Sequence, residues 1–204
     1  MSSILKDVFP APLHIRVHAP LLAPILMIVS LHTAALLAAR PLLHQADPAP
    51  AAKTLFWIML VVSPLASVIK DVVLGVMAWA VGTLSGAETA RLRPFISVVL
   101  YADVVLALSG VSLVASLHLR GARGITESQD LVVPQGIDMF ADISSPVWAA
   151  VAQSTTLYHV LWFVVLVATL PGVAALSRSR AAIVAGALWG TVITVGVLRG
   201  ILLS

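Results

Sequence analysis

The sequence contains no cysteine, and only a tenth of its 204 residues are charged. The absence of cysteine excludes disulfides, thiolate nucleophiles and cysteine-ligated metals. A soluble domain carries about 25% charged residues, so the low charge content excludes a soluble fold for a chain of this length. The basic character rests on only 12 lysines and arginines. This indicates contact with a membrane surface and not a nucleic-acid-binding patch.

The signature motifs of enzymes are missing as well. The sequence has no phosphate-binding loop, no HExxH, no GxSxG and no Rossmann glycine fingerprint. His14 and His18 stand four residues apart, a spacing that can bring two metal ligands together on a helix. Prolines flank this pair and no third ligand is near, so we expect two interfacial histidines.

A long polar segment carries the other candidate group, four carboxylates whose spacing does not match a calcium-binding loop. They are Glu127, Asp130, Asp138 and Asp142. We interpret this segment as a solvated loop. The sequence therefore predicts no catalytic residues, no metal and no cofactor.

Apolar residues, by contrast, make up 60% of the chain and fall into continuous runs. Such runs are typical of membrane-spanning helices and lack the alternation of β-barrel strands. We predict an all-α polytopic bundle of five membrane-spanning helices, with spans at about residues 20–37, 54–84, 94–118, 157–176 and 181–203. An amphipathic lead-in of residues 1–19 precedes this membrane domain of residues 20–204, and a polar loop occupies residues 119–156. The short loop HQADPAPAAK, between the first two spans, is not expected to carry chemistry.

The longest run, residues 54–84, holds Lys70 and Asp71 near its centre, and the next run holds Asp103. Ionisable groups inside a membrane are costly unless they meet a partner or water. We therefore predict an intramembrane polar cluster of Lys70, Asp71 and Asp103. It could act as a proton or ion relay, contact a lipid headgroup, or fix the register of two helices. One lysine and two aspartates are few for a transport path, which favours the structural role.

The last span contains the patterns GALWG and GVLRG. Their glycines are Gly186, Gly190, Gly196 and Gly200. Small residues four apart let two helices approach closely, so we predict that this face packs against another helix. The partner helix could belong to the same chain or to a neighbouring copy, and with five helices available we favour the same chain.

The basic residues indicate an orientation. Five spans place the termini on opposite faces of the membrane. Two short turns on the amino-terminal face are dibasic, with Arg91 and Arg93 in one and Arg178 and Arg180 in the other, whereas the opposite face holds the acidic loop. The positive-inside rule therefore predicts a cytoplasmic amino terminus.

The layout resembles the Yip1 family of five-span membrane proteins, in its bacterial form. The segments that carry the resemblance are DVFPAP, RPFISVVLYADVVLAL, GIDMFADISSPVWAAV and SRSRAA. The best local match is Ile137-Asp138-Met139-Phe140, ahead of the fourth span, and the next is the stretch from Arg93 to Tyr101. The resemblance covers nearly the whole chain, and it is one of layout and loose motifs.

This resemblance implies a five-helix membrane fold. Eukaryotic Yip1 proteins work in vesicle trafficking with small GTPases, but their Asp-Leu-Tyr-Gly-Pro type segment is missing here, so a GTPase partner is not predicted. For bacterial members the resemblance implies no established reaction. We expect a non-enzymatic, membrane-organising, trafficking-like or scaffolding protein of the bacterial cytoplasmic membrane. Its expected partners are lipids, further copies or a larger membrane complex. The alternatives are an accessory subunit of such a complex and a small transporter or channel component that uses the intramembrane charges.

Overall fold

Five α-helices make up the described part of the chain in this computed structural model. The described residues are 21–46, 50–86, 91–120, 148, 151–152, 155–174 and 176–203. The helices are α1 (Leu22–Ala46), α2 (Pro50–Leu84), α3 (Leu92–Arg120), α4 (Leu157–Ala174) and α5 (Arg178–Leu203). The predicted all-α bundle is confirmed. The lead-in with His14 and His18, and the four carboxylates of the polar loop, lie outside the described residues.

Four of these helices, α1, α2, α3 and α5, are long and apolar enough to cross a membrane. By length and composition, the chain is an integral membrane protein. Helix α4 has 18 residues, about 27 Å, which is slightly less than the roughly 30 Å core of a bilayer. It still runs along most of α3: Tyr158 at its start contacts Ser112, and Leu176 beyond its end lies beside Gly82 and Phe95.

The helix ends differ from the predicted spans by a few residues, with one larger difference in α1. The prediction ended the first span near residue 37, but α1 continues to Ala46 with Pro41 inside it. A proline inside a helix removes one backbone hydrogen bond. Leu42 is only 4% exposed, so burial of the side chain next to the proline offsets that loss. Helix α2 begins at Pro50, where a proline costs nothing because the first residues of a helix have no hydrogen-bond acceptor within it.

Consecutive helices run antiparallel. Gly75 of α2 packs on Ile96 of α3, and Lys70, earlier in α2, reaches Asp103, later in α3. Helix α1 lies parallel to α3, because Gly110 contacts Ala35 at one level and His118 Nε2 donates a 2.9 Å hydrogen bond to the carbonyl of Ala38 at the next.

The hydrophobic core lies where the second half of α2 and most of α4 meet the first halves of α3 and α5. Its buried members are Leu74, Ala78, Phe95, Val98, Val99, Ala102, Trp162, Leu166, Leu170, Leu176, Ala181, Val184, Ala185 and Leu188. A Cβ atom on Gly75 would lie 2.7 Å from the Cα atom of Ile96. Only glycine therefore allows the backbones of α2 and α3 to approach this closely.

The glycine face of α5 does not pack against the other described helices. Gly186 and Gly190 are exposed, and apart from the adjoining backbone of α5, no described atom lies within 4 Å of the position of a Cβ on either. The preferred packing partner within the same chain is therefore not found for these two residues among the described helices. The reason is that Val184, Ala185 and Leu188 form the core side of α5, which turns both glycines outward. Gly196 is half-buried, and the surroundings of Gly200 are outside the described part.

Candidate functional site

Lys70 and Asp103 meet near the middle of the bundle. The midpoint of the 35-residue helix α2 is Ser67, so Lys70 lies about 4.5 Å from it along the helix axis. Asp103 is near the middle of the antiparallel helix α3. The glycine contact between Gly75 and Ile96, one to two turns away, holds the two helices close enough for these side chains to meet.

The structure brings the three predicted polar residues together. Lys70 Nζ donates a 2.8 Å hydrogen bond to Asp103 Oδ1 and lies 3.3 Å from Asp71 Oδ1. Ser67 donates its hydroxyl to the second oxygen of Asp103, Oδ2, at 3.3 Å. Asp103 is therefore the principal partner of the lysine, and Asp71, next to it in sequence, is the weaker one.

Burial divides the cluster into an inner and an outer part. The side chains of Asp71 and Asp103 are 0% and 1% exposed, whereas that of Lys70 is 43% exposed. The four-carbon stem of lysine is apolar and can lie against lipid while the ammonium group finds a polar partner. Lys70 thus covers the carboxylates from the outer side of α2 and directs its charge inward.

The cluster is not balanced in charge. Lys70 offers one ammonium group against the two carboxyl groups of Asp71 and Asp103, so full ionisation would leave one excess negative charge. Neither oxygen of Asp71 has a hydrogen-bond partner in the described part of the chain. An unpaired ion in a dry interior is costly. Binding one proton would remove the excess, so this cluster is chemically able to hold and release a proton.

Helix α4 adds polar groups that the sequence did not single out as site residues. His159 lies within electrostatic range of Lys70 and Asp103, and its Nδ1 is 2.8 Å from Thr156 Oγ1. Tyr158 and Ser112 share a close hydrogen bond between α4 and α3. In the sequence, polar residues at the start of an apolar run are only a weak indication of a functional site, because serines and threonines in membrane helices usually serve packing.

Two cavities are described, and neither is lined by the charge cluster. One of about 320 Å³ lies between α1, α2 and α3 and is apolar except for His32 and Ser63. The other, of about 340 Å³, lies where α1 ends and α2 begins. Within the described part of the chain, no three histidine, aspartate or glutamate residues are placed to hold a metal ion.

Comparisons of the chain with known protein families, with curated proteins and with solved structures find no match. The resemblance to the Yip1 family stays a prediction from layout and local motifs.

Proposed function

We propose that the chain is a non-enzymatic, Yip1-like integral membrane protein that organises the membrane or scaffolds partners within it. The observation that supports this most is the position of the charge cluster. Asp71 and Asp103 are buried, and the described cavities do not reach them. A lysine that bridges two helices in this way fixes their register, which suits a rigid scaffold better than an open transport path.

The outer surface offers room for lateral partners. Helix α2 exposes large apolar side chains along most of its length, and α5 exposes Ile183 at 60% and Val195 at 60% beside the open glycines. Close approach of helices at small residues is a common mode of association in membranes. The surface around Gly186 and Gly190 is thus our candidate for contact with another copy or with a larger membrane complex, of which the chain would be an accessory subunit.

Site-specific photo-crosslinking tests this scaffold role. A photoreactive amino acid at Ile183, one turn before Gly186, should give a protein adduct of defined mass in intact membranes, which mass spectrometry can identify. The matched control is the same amino acid at Leu188, which is fully buried and should give no intermolecular adduct. Adducts with lipid alone at Ile183 would contradict a scaffold that acts through this surface.

A transporter or channel component is the second candidate, and it is favoured by the buried Asp71 carboxyl group, whose oxygens have no hydrogen-bond partner in the described part of the chain. Proteoliposomes with a trapped pH indicator and an imposed membrane potential provide the test. Proton flux that is present in the parent and lost in Asp71→Asn would support transport and count against the scaffold. Equal, background-level flux in both would remove the second candidate.

The location and orientation also belong to this proposal. We propose the bacterial cytoplasmic membrane, with the amino terminus in the cytoplasm, because the turns at Arg91–Arg93 and Arg178–Arg180 are basic. The chain has no cysteine, so single cysteines give clean reporters. Ser179→Cys should be labelled by an impermeant maleimide only after the cells are opened, and Ala51→Cys should be labelled in intact cells. The reverse pattern would invert the orientation.

A further inference from the structure

The cavity between the end of α1 and the start of α2 combines positive charge with apolar walls. Its volume is about 340 Å³, and its basic residues are Arg40, Lys53 and His44. Leu37, Leu43 and Phe56 supply apolar wall. No carboxylate in the described part of the chain forms an ion pair with Arg40 or Lys53.

Aromatic rings hold the guanidinium group of Arg40. Its Cζ atom lies 5.3 Å from the centroid of Trp57 and 5.8 Å from that of Phe56. The two rings meet edge-on, with centroids 5.5 Å apart. Cation–π contacts of this length restrict a guanidinium group without using its N–H donors. The planar fork of Arg40 therefore stays available for two parallel hydrogen bonds to a phosphate.

Placing the midpoint of α2 at the bilayer centre puts the cavity at the depth of lipid headgroups. Phe56 and Lys53 are eleven and fourteen residues from Ser67, the midpoint of α2, which corresponds to about 16 Å and about 21 Å. Half of a bilayer core is about 15 Å. The basic residues are thus just outside the hydrocarbon, while Leu37, 46% exposed, and Trp57, 47% exposed, extend the apolar wall outward.

We propose that this cavity binds the headgroup of an anionic phospholipid, with Arg40 and Lys53 on the phosphate and the apolar wall against the first part of the acyl chains. Arginine and lysine side chains pair with phosphate oxygens, arginine through two parallel hydrogen bonds. A free phosphate would meet the same charges but would leave Leu37, Leu43 and Phe56 uncovered. The chemistry of the whole cavity therefore selects an amphiphile. This inference depends on the membrane-spanning fold and not on the scaffold role.

Native mass spectrometry of the purified full chain tests the inference with two added lipids, dioleoylphosphatidylglycerol and dioleoylphosphatidylcholine. The parent should bind the anionic lipid more tightly. The variant R40Q/K53Q should weaken that binding about tenfold or more. The control R91Q/R93Q removes the same number of charges from exposed positions at the opposite end of the bundle and should change the affinity less than twofold. Circular dichroism establishes that both variants keep their helices.

The variant R40K separates a built site from general surface charge. It keeps the charge but loses the planar fork and its aromatic support, so binding of the anionic lipid should weaken several-fold. Unchanged binding in R40K together with equal loss in the two double variants would overturn the proposal. Competition with glycerol 1-phosphate distinguishes a phospholipid site from a site for free phosphate. Full displacement of the lipid at millimolar concentration would show a free-phosphate site instead, whereas no displacement supports the phospholipid.

Discussion

Two pairs of glycines in this bundle have opposite surroundings. Gly75 and Gly82 of α2 are buried, and a Cβ atom on them would lie 2.7 Å from Ile96 Cα and 2.8 Å from Phe95 Cζ. Gly186 and Gly190 of α5 have no described atom within 4 Å of that position apart from the adjoining backbone of α5. Only the second pair has the GxxxG spacing. The GxxxG spacing therefore identifies a surface that another helix can approach closely. It does not determine whether that helix belongs to the same chain.

The comparison extends to the polar groups. At the α2–α3 interface, Gly75 and Gly82 allow close packing. The same interface also contains the ion pair of Lys70 with Asp103. The α5 outer face, formed by Gly186, Gly190 and the exposed apolar residues beside them, has no such pair among the described residues. The first region determines how the chain folds, and the second is available for contacts outside it.

The largest effect is expected for Gly75→Ala. Its new methyl group would meet the backbone of Ile96, which cannot move without shifting all of α3. Overpacking of this kind costs about 1–3 kcal/mol. Unfolding of the purified protein in dodecyl sulfate, followed by circular dichroism, measures the loss. Gly186→Ala makes the identical chemical change on the α5 outer face and serves as the control. Equal unfolding midpoints for the two variants would contradict the difference in packing between the two regions.

Gly82→Ala is expected to lower the unfolding free energy by a smaller amount, about 1 kcal/mol. The obstructing atoms are at the far end of the Phe95 ring, and a ring can turn where a backbone cannot. Phe95→Leu removes those atoms and loses stability of its own through the cavity it leaves. In the double variant, the alanine should add little further loss to that of Phe95→Leu. Strict additivity of the two changes would argue against the close contact.

The smallest effect is expected on the α5 outer face. Gly186→Ala and Gly190→Leu should each change the unfolding free energy of the isolated chain by less than about 0.5 kcal/mol, as for surface substitutions away from any contact. Gly190→Leu should nevertheless reduce crosslinking from Ile183 in native membranes, because a large side chain blocks close approach. A clear loss of monomer stability would show that this face is covered within the chain.

Much of the fold could be predicted because continuous apolar runs leave few alternatives to membrane helices. The end of α1 could not, since burial of Leu42 outweighs the local effect of Pro41. Pairing of Lys70 with an aspartate followed from the cost of an isolated charge in a membrane. The contribution of Ser67 did not, because a serine in such a helix has many possible roles.

The cavity beside the first loop was also missed. Arg40 and Lys53 are 13 residues apart in the sequence. Arg40 precedes the Pro/Ala-rich segment HQADPAPAAK, from which no chemistry is predicted, and Lys53 is its last residue. They share a cavity only because the last turns of α1 pack against the first turns of α2. A pattern within one segment cannot reveal a site of this kind, since it is formed by the contact of two helices.

A double-mutant cycle on Lys70 and Asp103 tests most directly whether the charge cluster locks α2 to α3. Lys70→Met and Asp103→Asn should each lower the unfolding free energy by about 1–2 kcal/mol, the upper range for polar contacts in membranes. Their combination should lose less than the sum, with a coupling energy of about 1 kcal/mol, because the double variant leaves neither partner of this ion pair behind. Single variants that unfold like the parent, or strictly additive losses of unfolding free energy, would contradict the claim that this ion pair holds α2 against α3.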